Sequence, residues 1–203
     1  MVAGMEFADV VRRRRMVRDY DPDRPVPAQV RERLLDHAIR APSAGFSQGW
    51  AFLVLESAAD RDRFWRATTG EEAPDAWLTR MRRAPLLIVP MSEKSAYLDR
   101  YAEPDKGWTD REEARWPVPY WDVDAGMAAL LILLTAVDEG LGACFFGIPP
   151  ERLAAFRHSF GVPPGLRPVG CVAVGYPGED DRRSPSLRRG RRPVEEVVHR
   201  GRW

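Results

Sequence analysis

The stretch Asp124-Ala-Gly-Met-Ala-Ala-Leu-Leu-Ile-Leu-Leu-Thr-Ala-Val-Asp-Glu-Gly-Leu-Gly-Ala-Cys-Phe-Phe-Gly-Ile148 decides the fold. Between Ala125 and Val137 only Gly126 and Thr135 interrupt the apolar run. The run falls short of the roughly 18 residues a membrane span requires, so it predicts a buried helix. Asp124 is suited to cap that helix, and Gly140 to end it after Glu139. Apolar residues lie nearly all round its circumference, which implies burial on every side. In a chain of 203 residues a subunit interface is a natural place for such a helix. Gly142 to Ile148 then reads as a strand or extended turn.

Elements on either side follow the same patterns. Phe7, Val10 and Val11 place a helix over Glu6 to Arg14, and Pro22 and Pro25 break the chain after it. A second helix starts at about Pro27, carries Val30, Leu34, Leu35, Ala38 and Ile39 on one stripe, and stops before Pro42. Residues 41–49 form a loop of small residues. Trp50 to Glu56 is a strand, Ala58 to Thr68 a helix with Phe64 and Trp65 inward, and Pro85 to Met91 a buried strand. Residues 94–121 hold Tyr97, Tyr101, Trp108, Trp116, Tyr120 and Trp121 among prolines and charges, without a period. They read as an aromatic insertion, since linkers are poor in tryptophan. Pro150 to Phe160 is a helix and Arg167 to Val174 the last strand. A basic tail covers about 178–203. The chain reads as one domain, 1–203, with no internal repeat.

Composition narrows the function classes. Hydrophobic residues are 44% and charged residues 30%, near the globular norm, which excludes a disordered, collagenous or low-complexity chain. A domain of this size buries roughly 70% of its unfolded surface and needs no disulfide. Net charge is +1, so neither a strongly basic nucleic-acid binder nor an acidic solvating protein is indicated. Cys144 and Cys171 show no CxxC spacing, against a disulfide scaffold or a zinc site. Arg12 to Arg15 follow an amphipathic rather than an apolar stretch, so no signal peptide is expected and the expected location is cytoplasmic. Charge is nonetheless uneven. Arg12, Arg13, Arg14, Arg15 and Arg18 crowd one end; Arg182, Arg183, Arg188, Arg189, Arg191, Arg192, Arg200 and Arg202 crowd the other. Where the two ends converge, an anion would be held.

Catalytic side chains are scarce. His37, His158 and His199 show no metal spacing, and there is no HExxH, Walker loop, GxSxG elbow or GxGxxG after a strand. Cys144 sits among apolar neighbours that would raise its pKa, so it reads as an inert thiol. No side chain is expected to be catalytic and no metal is expected. In an enzyme built this way a bound cofactor supplies the reactivity.

Four motifs in order carry a resemblance that spans nearly the whole chain. They are Arg14-Arg-Met-Val-Arg18-Asp-Tyr20 before a proline-rich turn; Ala41-Pro-Ser43-Ala-Gly-Phe-Ser-Gln48-Gly-Trp50; Glu139-Gly-Leu-Gly142-Ala-Cys-Phe-Phe-Gly147-Ile148; and Val174-Gly-Tyr-Pro177 with the tail Arg188-Arg-Gly-Arg191-Arg-Pro193. Together they resemble the flavin-dependent nitroreductase family. The resemblance implies an α+β sandwich with helices around a mostly antiparallel sheet. It also implies an intertwined homodimer with two FMN molecules at the subunit interface.

The implied site follows the motifs. Arg14, Arg189 and Arg191 would grip the FMN phosphate, an anion of about −2 that suits the planar, bidentate forks of converging arginines. The alternative for either arginine run is a solvated basic patch. Arg15 and Met16 belong to the same cofactor segment. Arg18 and Arg80 would stand near the pyrimidine edge of the flavin, where negative charge develops on reduction; a surface helix is the other place for Arg80. Pro42, Ser43, Ala44 and Phe46 match the loop that reaches the flavin from the other subunit, small residues allowing close backbone approach. Phe145, Phe146, Gly147 and Ile148 match the stretch whose backbone faces the flavin N5 and O4; an ordinary core strand would suit them too. Tyr97, Tyr101, Trp108 and Trp116 are expected in a substrate wall or in packing across the dimer.

Some positions depart from the family pattern. Met16 stands where serine is common, Phe46 for a frequent asparagine, Gly49 for a frequent proline, and Gly147 for a glutamate of some members. The implied activity is ping-pong transfer from NADH or NADPH through FMN to a nitroaromatic or quinone-like acceptor. Rival readings are an FMN-dependent dehydrogenase or desaturase of one small molecule, a flavin-binding protein without turnover, and nucleic-acid binding through the basic ends. The last lacks a recognition helix and aromatics interleaved with the arginines.

Overall fold

The apolar run forms the central helix of the computed structural model, which describes residues 5–70 and 73–203. This helix spans Tyr120–Asp138 and begins earlier than Asp124 implies. Pro119 is its N-cap, and Asp124 lies a turn inside it, only 2% exposed. Its end matches the sequence. Gly140 takes a φ of 72°, and the N–H groups of Leu141 and Gly140 return to the carbonyls of Ala136 and Val137 at 2.7 and 3.0 Å. The last orphan carbonyls are thereby satisfied.

Five strands form one antiparallel sheet: β1 (Trp50–Leu55), β2 (Leu86–Glu93), β3 (Gly142–Phe146), β4 (Leu166–Pro168) and β5 (Cys171–Gly175). Their order is β1-β2-β5-β3, with β4 beside the far end of β2. The sequence predicts one strand over Arg167 to Val174, and the structure divides it into β4 and β5. Val169 N–H donates to the carbonyl of Pro90 across the break, and a Cβ on Gly170 would stand 2.4 Å from the Phe145 ring. That close approach requires glycine.

Side chains alternate across β2, so both faces of the sheet are buried. Leu87, Val89 and Met91 join Phe64, Trp65, Met81 and Phe156 on one face. Leu86 and Ile88 join Leu34, Ala38, Ala128 and Ile132 on the other. The first face is covered by α3 (Ala58–Thr69), α4 (Ala76–Met81) and α7 (Leu153–Phe160). The second is covered by α2 (Ala28–Ala38) and α6, the central helix; α1 is Phe7–Arg13 and α5 is Lys94–Ala102. Ser57 accepts from Asp60 N–H at 3.0 Å to cap α3, and Asp75 caps α4 through Leu78 N–H at 2.7 Å. The expected α+β sandwich is the fold observed.

Within one chain helix α6 leaves a stripe open: Tyr120, Val123, Met127 and Leu130, at helical spacing, are 37–45% exposed, on the helix for which a subunit interface is expected. The sheet, α2 and α1 pack on α6, and among the described residues this stripe is left uncovered within the single chain. The aromatic insertion is not irregular throughout, since α5 occupies its start and α6 takes Tyr120 and Trp121. Its aromatics pack against one another and against loop 41–49 rather than on the sheet, which hides the helical stripe.

Ile132 is fully buried between α6 and the sheet. Ile132→Ala is expected to cost about 2–5 kcal/mol in urea unfolding. A loss under about 0.5 kcal/mol would contradict this packing.

Candidate functional site

After α1 the chain turns extended and lies along the open edge of β3. Met16 bridges Ala143 in parallel sense, and Val17 N–H donates to the Ala143 carbonyl at 3.0 Å. Phe145 N–H meets Met16 Sδ at 3.4 Å. Residues alternate along such a ribbon, so Arg14 and Arg18 share one face while Arg15 and Val17 take the other; the Met16 side chain packs against the core on both sides of the sheet edge. Val17 is buried in the core beneath. Tyr20 clamps the ribbon: its hydroxyl donates to the carbonyls of Val17 and Ala173 at 2.8 and 3.2 Å. Burial, with the nearby thiols and Asp181, pushes that phenol well above its ordinary range, so it stays a donor.

Asp181 does the same from the tail, and the sequence reading missed it. Its side chain is 2% exposed, pairs with Arg15, and accepts Arg18 N–H at 2.9 Å. Arg15 is thereby committed to an internal carboxylate. Arg14 and Arg18 form no ion pair among the described residues; Arg18 Nη1 reaches only the Met16 carbonyl, at 3.3 Å. The acidic run Glu179-Asp-Asp181, just ahead of the tail arginines, was the available signal.

The end of β3 adjoins this ribbon. Both phenylalanine rings are engaged elsewhere. Phe145 lies over Gly170, and Phe146 stacks on Trp65 with centroids 5.5 Å apart and planes 7° apart. Gly147 is exposed, and a Cβ there would meet nothing within 4 Å, so the backbone beyond β3 is unobstructed at this point. Trp77 of α4, also unforeseen, sets its ring edge-on to Phe146 at 5.8 Å. Arg80 lies one turn further along α4 and is exposed. The structure therefore gathers the ribbon, the end of β3 and α4.

Cys144 and Cys171 are buried in the sheet, and burial raises both thiols above their ordinary range. For Cys144 this is the buried, protonated environment expected from its apolar neighbours. Among the described residues no group of three or more His, Cys, Asp or Glu is placed to hold a metal. A cavity of about 420 Å³ opens between Asp19–Asp23, Arg83 and Pro177–Asp180. Its carboxylates outnumber its single arginine, which makes it a poor host for a phosphate.

Loop 41–49 is built separately. Ala44 N–H donates to Asp124 Oδ2 at 2.9 Å, and Tyr97 hydroxyl donates to the same oxygen at 2.8 Å. Arg100 Nε donates to the Gly45 carbonyl at 2.9 Å, and Gln48 N–H to Ser43 Oγ at 3.0 Å. Gly45, Phe46 and Gln48 take φ of 61°, 57° and 50°. For phenylalanine a left-handed φ costs about 1–2 kcal/mol. Glycine at 49 has a plain cause: a Cβ there would stand 2.5 Å from the Tyr97 ring. Pro42 is exposed at the loop entrance.

The insertion supports this loop. Tyr97 is fully buried, so it supports the loop from beneath and does not line a substrate wall. Tyr101 contacts Trp116 at 4.6 Å and Trp108 at 4.9 Å, and its ring lies against Gly45. Arg189 and Arg191 stand in an exposed tail, and no hydrogen bond or ion pair joins them to Arg14 among the described residues. Among the described residues no hydrogen bond or ion pair joins loop 41–49 or the tail arginines to the ribbon within one chain.

Comparison with known proteins identifies the family. The nitroreductase family model matches residues 11–176, and the chain belongs to that family. A protein of Archaeoglobus fulgidus, assigned as an NADH dehydrogenase/NAD(P)H nitroreductase, is 28% identical over 98% of this chain and 99% of its own. An NADH dehydrogenase of Thermus thermophilus is 29% identical over 92% of this chain and 91% of its own. Among solved structures, a protein of Exiguobacterium sibiricum assigned as a nitroreductase, in complex with FMN, superposes with TM-score 0.71 at 19% identity. It covers 96% of this chain and 97% of its own.

Asp181→Ala removes the partner of Arg15 and the acceptor of Arg18 N–H. It is expected to cost about 1–3 kcal/mol in denaturant unfolding, while exposed Asp180→Ala changes stability by under about 0.5 kcal/mol. Equal stability of the two variants would contradict the clamp.

Proposed function

We propose that the chain is a homodimeric, FMN-dependent oxidoreductase that accepts reducing equivalents from NADH or NADPH and passes them to nitroaromatic or quinone-like acceptors. The supporting observation is the arginine ribbon. Arg14 and Arg18 stand on one face of an extended segment without ion pairs among the described residues, beside the open backbone of Gly147. Unpaired guanidinium groups next to unobstructed backbone fit a phosphate ester carrying a flat ring. FMN, when bound, supplies the hydride chemistry.

The chain's own residues then bind, orient and exclude water. Arg14 holds the phosphate, joined by Arg189 and Arg191. Arg18, with Arg80 of α4, offers positive charge to the pyrimidine edge, which favours the anionic reduced ring. Backbone N–H groups at Gly147 and Ile148 are available to orient the reacting edge. Met16, in place of serine, contributes its backbone and a sulfur turned to Phe145 N–H. Tyr101, Trp108 and Trp116 form an outer wall behind the loop that carries Phe46.

A second copy completes the site. The exposed stripe of α6, with Phe7 and Val11 of α1, is apolar surface that a folded chain rarely leaves to water. The tail adds Leu187, Val194, Val197, Val198 and Trp203, all exposed. A dimer seated on α6 buries these groups and brings loop 42–46 to the partner's ribbon.

The purified protein is expected to be yellow, dimeric, and bleached by NADH or NADPH without oxygen. Arg14→Ala should weaken FMN binding about 10- to 100-fold in a fluorescence titration, the loss of one charge-assisted contact. Colour that persists with both donors would reject nicotinamide-driven reduction, and unchanged affinity would remove Arg14 from the site.

A further inference from the structure

Phe46 is the least expected residue of loop 41–49. A bulky side chain at φ 57° is an outlier, and an exposed one has no packing of its own to hold it there. The residue is 74% exposed. The conformation is imposed from both flanks. Asp124 holds Ala44, Arg100 holds the Gly45 carbonyl, and the Tyr101 ring closes on Gly45 so tightly that a Cβ there would stand 2.6 Å from Cε2. Ser43 Oγ receives Gln48 N–H on the far side. A buried carboxylate, a guanidinium and an aromatic insertion thus converge on one turn. The effect of that turn is to hold a phenyl ring out in solvent.

We infer that Phe46 is a specificity-determining residue, the apolar face against which a planar, conjugated electron acceptor packs. The inference rests on the flavoenzyme reading above and assigns this position to the acceptor rather than to the cofactor. A phenyl ring offers no hydrogen bond to the polar edge of a flavin. It offers an edge or a face to another ring, with the offset or T-shaped geometry aromatic pairs adopt. Its two torsions leave little side-chain freedom, and the clamped turn removes most of the backbone freedom, so contact immobilises little more. Discrimination follows: a flat quinone or nitroarene gains the ring contact, and a compact inorganic oxidant does not.

The test compares Phe46→Asn and Phe46→Tyr with the parent holoenzyme. Asparagine tolerates the left-handed turn, so it removes the ring and leaves the loop. FMN content is read first by absorbance, melting temperature second, and kcat/KM third, for a planar quinone and for ferricyanide. Phe46→Asn is expected to retain FMN and to melt at or above the parent. Its quinone-to-ferricyanide ratio of kcat/KM should fall about three- to tenfold, chiefly through KM for the quinone. Phe46→Tyr is expected to keep the parent ratio. An unchanged ratio in Phe46→Asn, with FMN bound, overturns the inference and leaves the flavoenzyme intact. A lower melting temperature with an unchanged ratio assigns Phe46 to packing, against a second copy or its own chain, and also overturns it. A parent protein that takes up no FMN removes the flavoenzyme reading and this inference together.

Discussion

The pairing of residues 16–17 with Ala143 is the constraint on which the site depends. β3 is the last strand in the sheet order, so its outer edge would otherwise present unpaired N–H and C=O groups. The ribbon covers that edge and is fixed by it. One hydrogen bond of this kind contributes only about 1 kcal/mol, so the ribbon is held by several. Val17 is buried beneath it, Tyr20 ties it to β5, and Asp181 returns from the tail to grip Arg15 and Arg18 N–H. The cost of extending a chain is met by the core side of the ribbon. The other side is left with Arg14 and Arg18, neither of them in an ion pair among the described residues.

Buried carboxylates do similar work in two places. Asp124 and Asp181 each hold a side chain almost withdrawn from solvent, and each accepts a backbone N–H from a segment outside the five strands. Burying a carboxylate is unfavourable unless hydrogen bonds or a cation compensate. Here the compensation comes from the segments being positioned: Ala44 and Tyr97 for one, Arg18 and Arg15 for the other. Loss of either acid would release a loop as well as a charge. The aromatic insertion belongs to the same scheme, since α5 supplies Tyr97, Arg100 and Tyr101, all directed at loop 41–49.

Much of the fold was legible because burial leaves a period. Leu34 and Ala38 mark α2, Phe64 and Trp65 mark α3, and the run from Leu86 to Met91 marks a strand buried on both faces. The ribbon, loop 41–49 and the end of β3 were legible as motifs in order. Features set by a distant partner were not. Asp124 has the residue type and place of a cap, yet its carboxylate is drawn sideways by Ala44 and Tyr97, and Pro119 begins the helix instead. The break between β4 and β5 depends on the Phe145 ring over Gly170, a contact no local pattern encodes. Tyr97 was expected in a substrate wall or in packing across the dimer, but the space beside Gly49 takes it in completely. Trp77 gave no signal beyond its type.

The central claim is that the ribbon's arginines, not hydrophobic capture of a ring, select the ligand. Titrating the cofactor-free protein with FMN and with riboflavin, at one fixed salt concentration, tests it most directly. The account expects FMN to bind at least about 100-fold more tightly, and that difference to shrink as salt is raised, because the phosphate contacts are ionic. Equal affinity for the two flavins at low salt would contradict it.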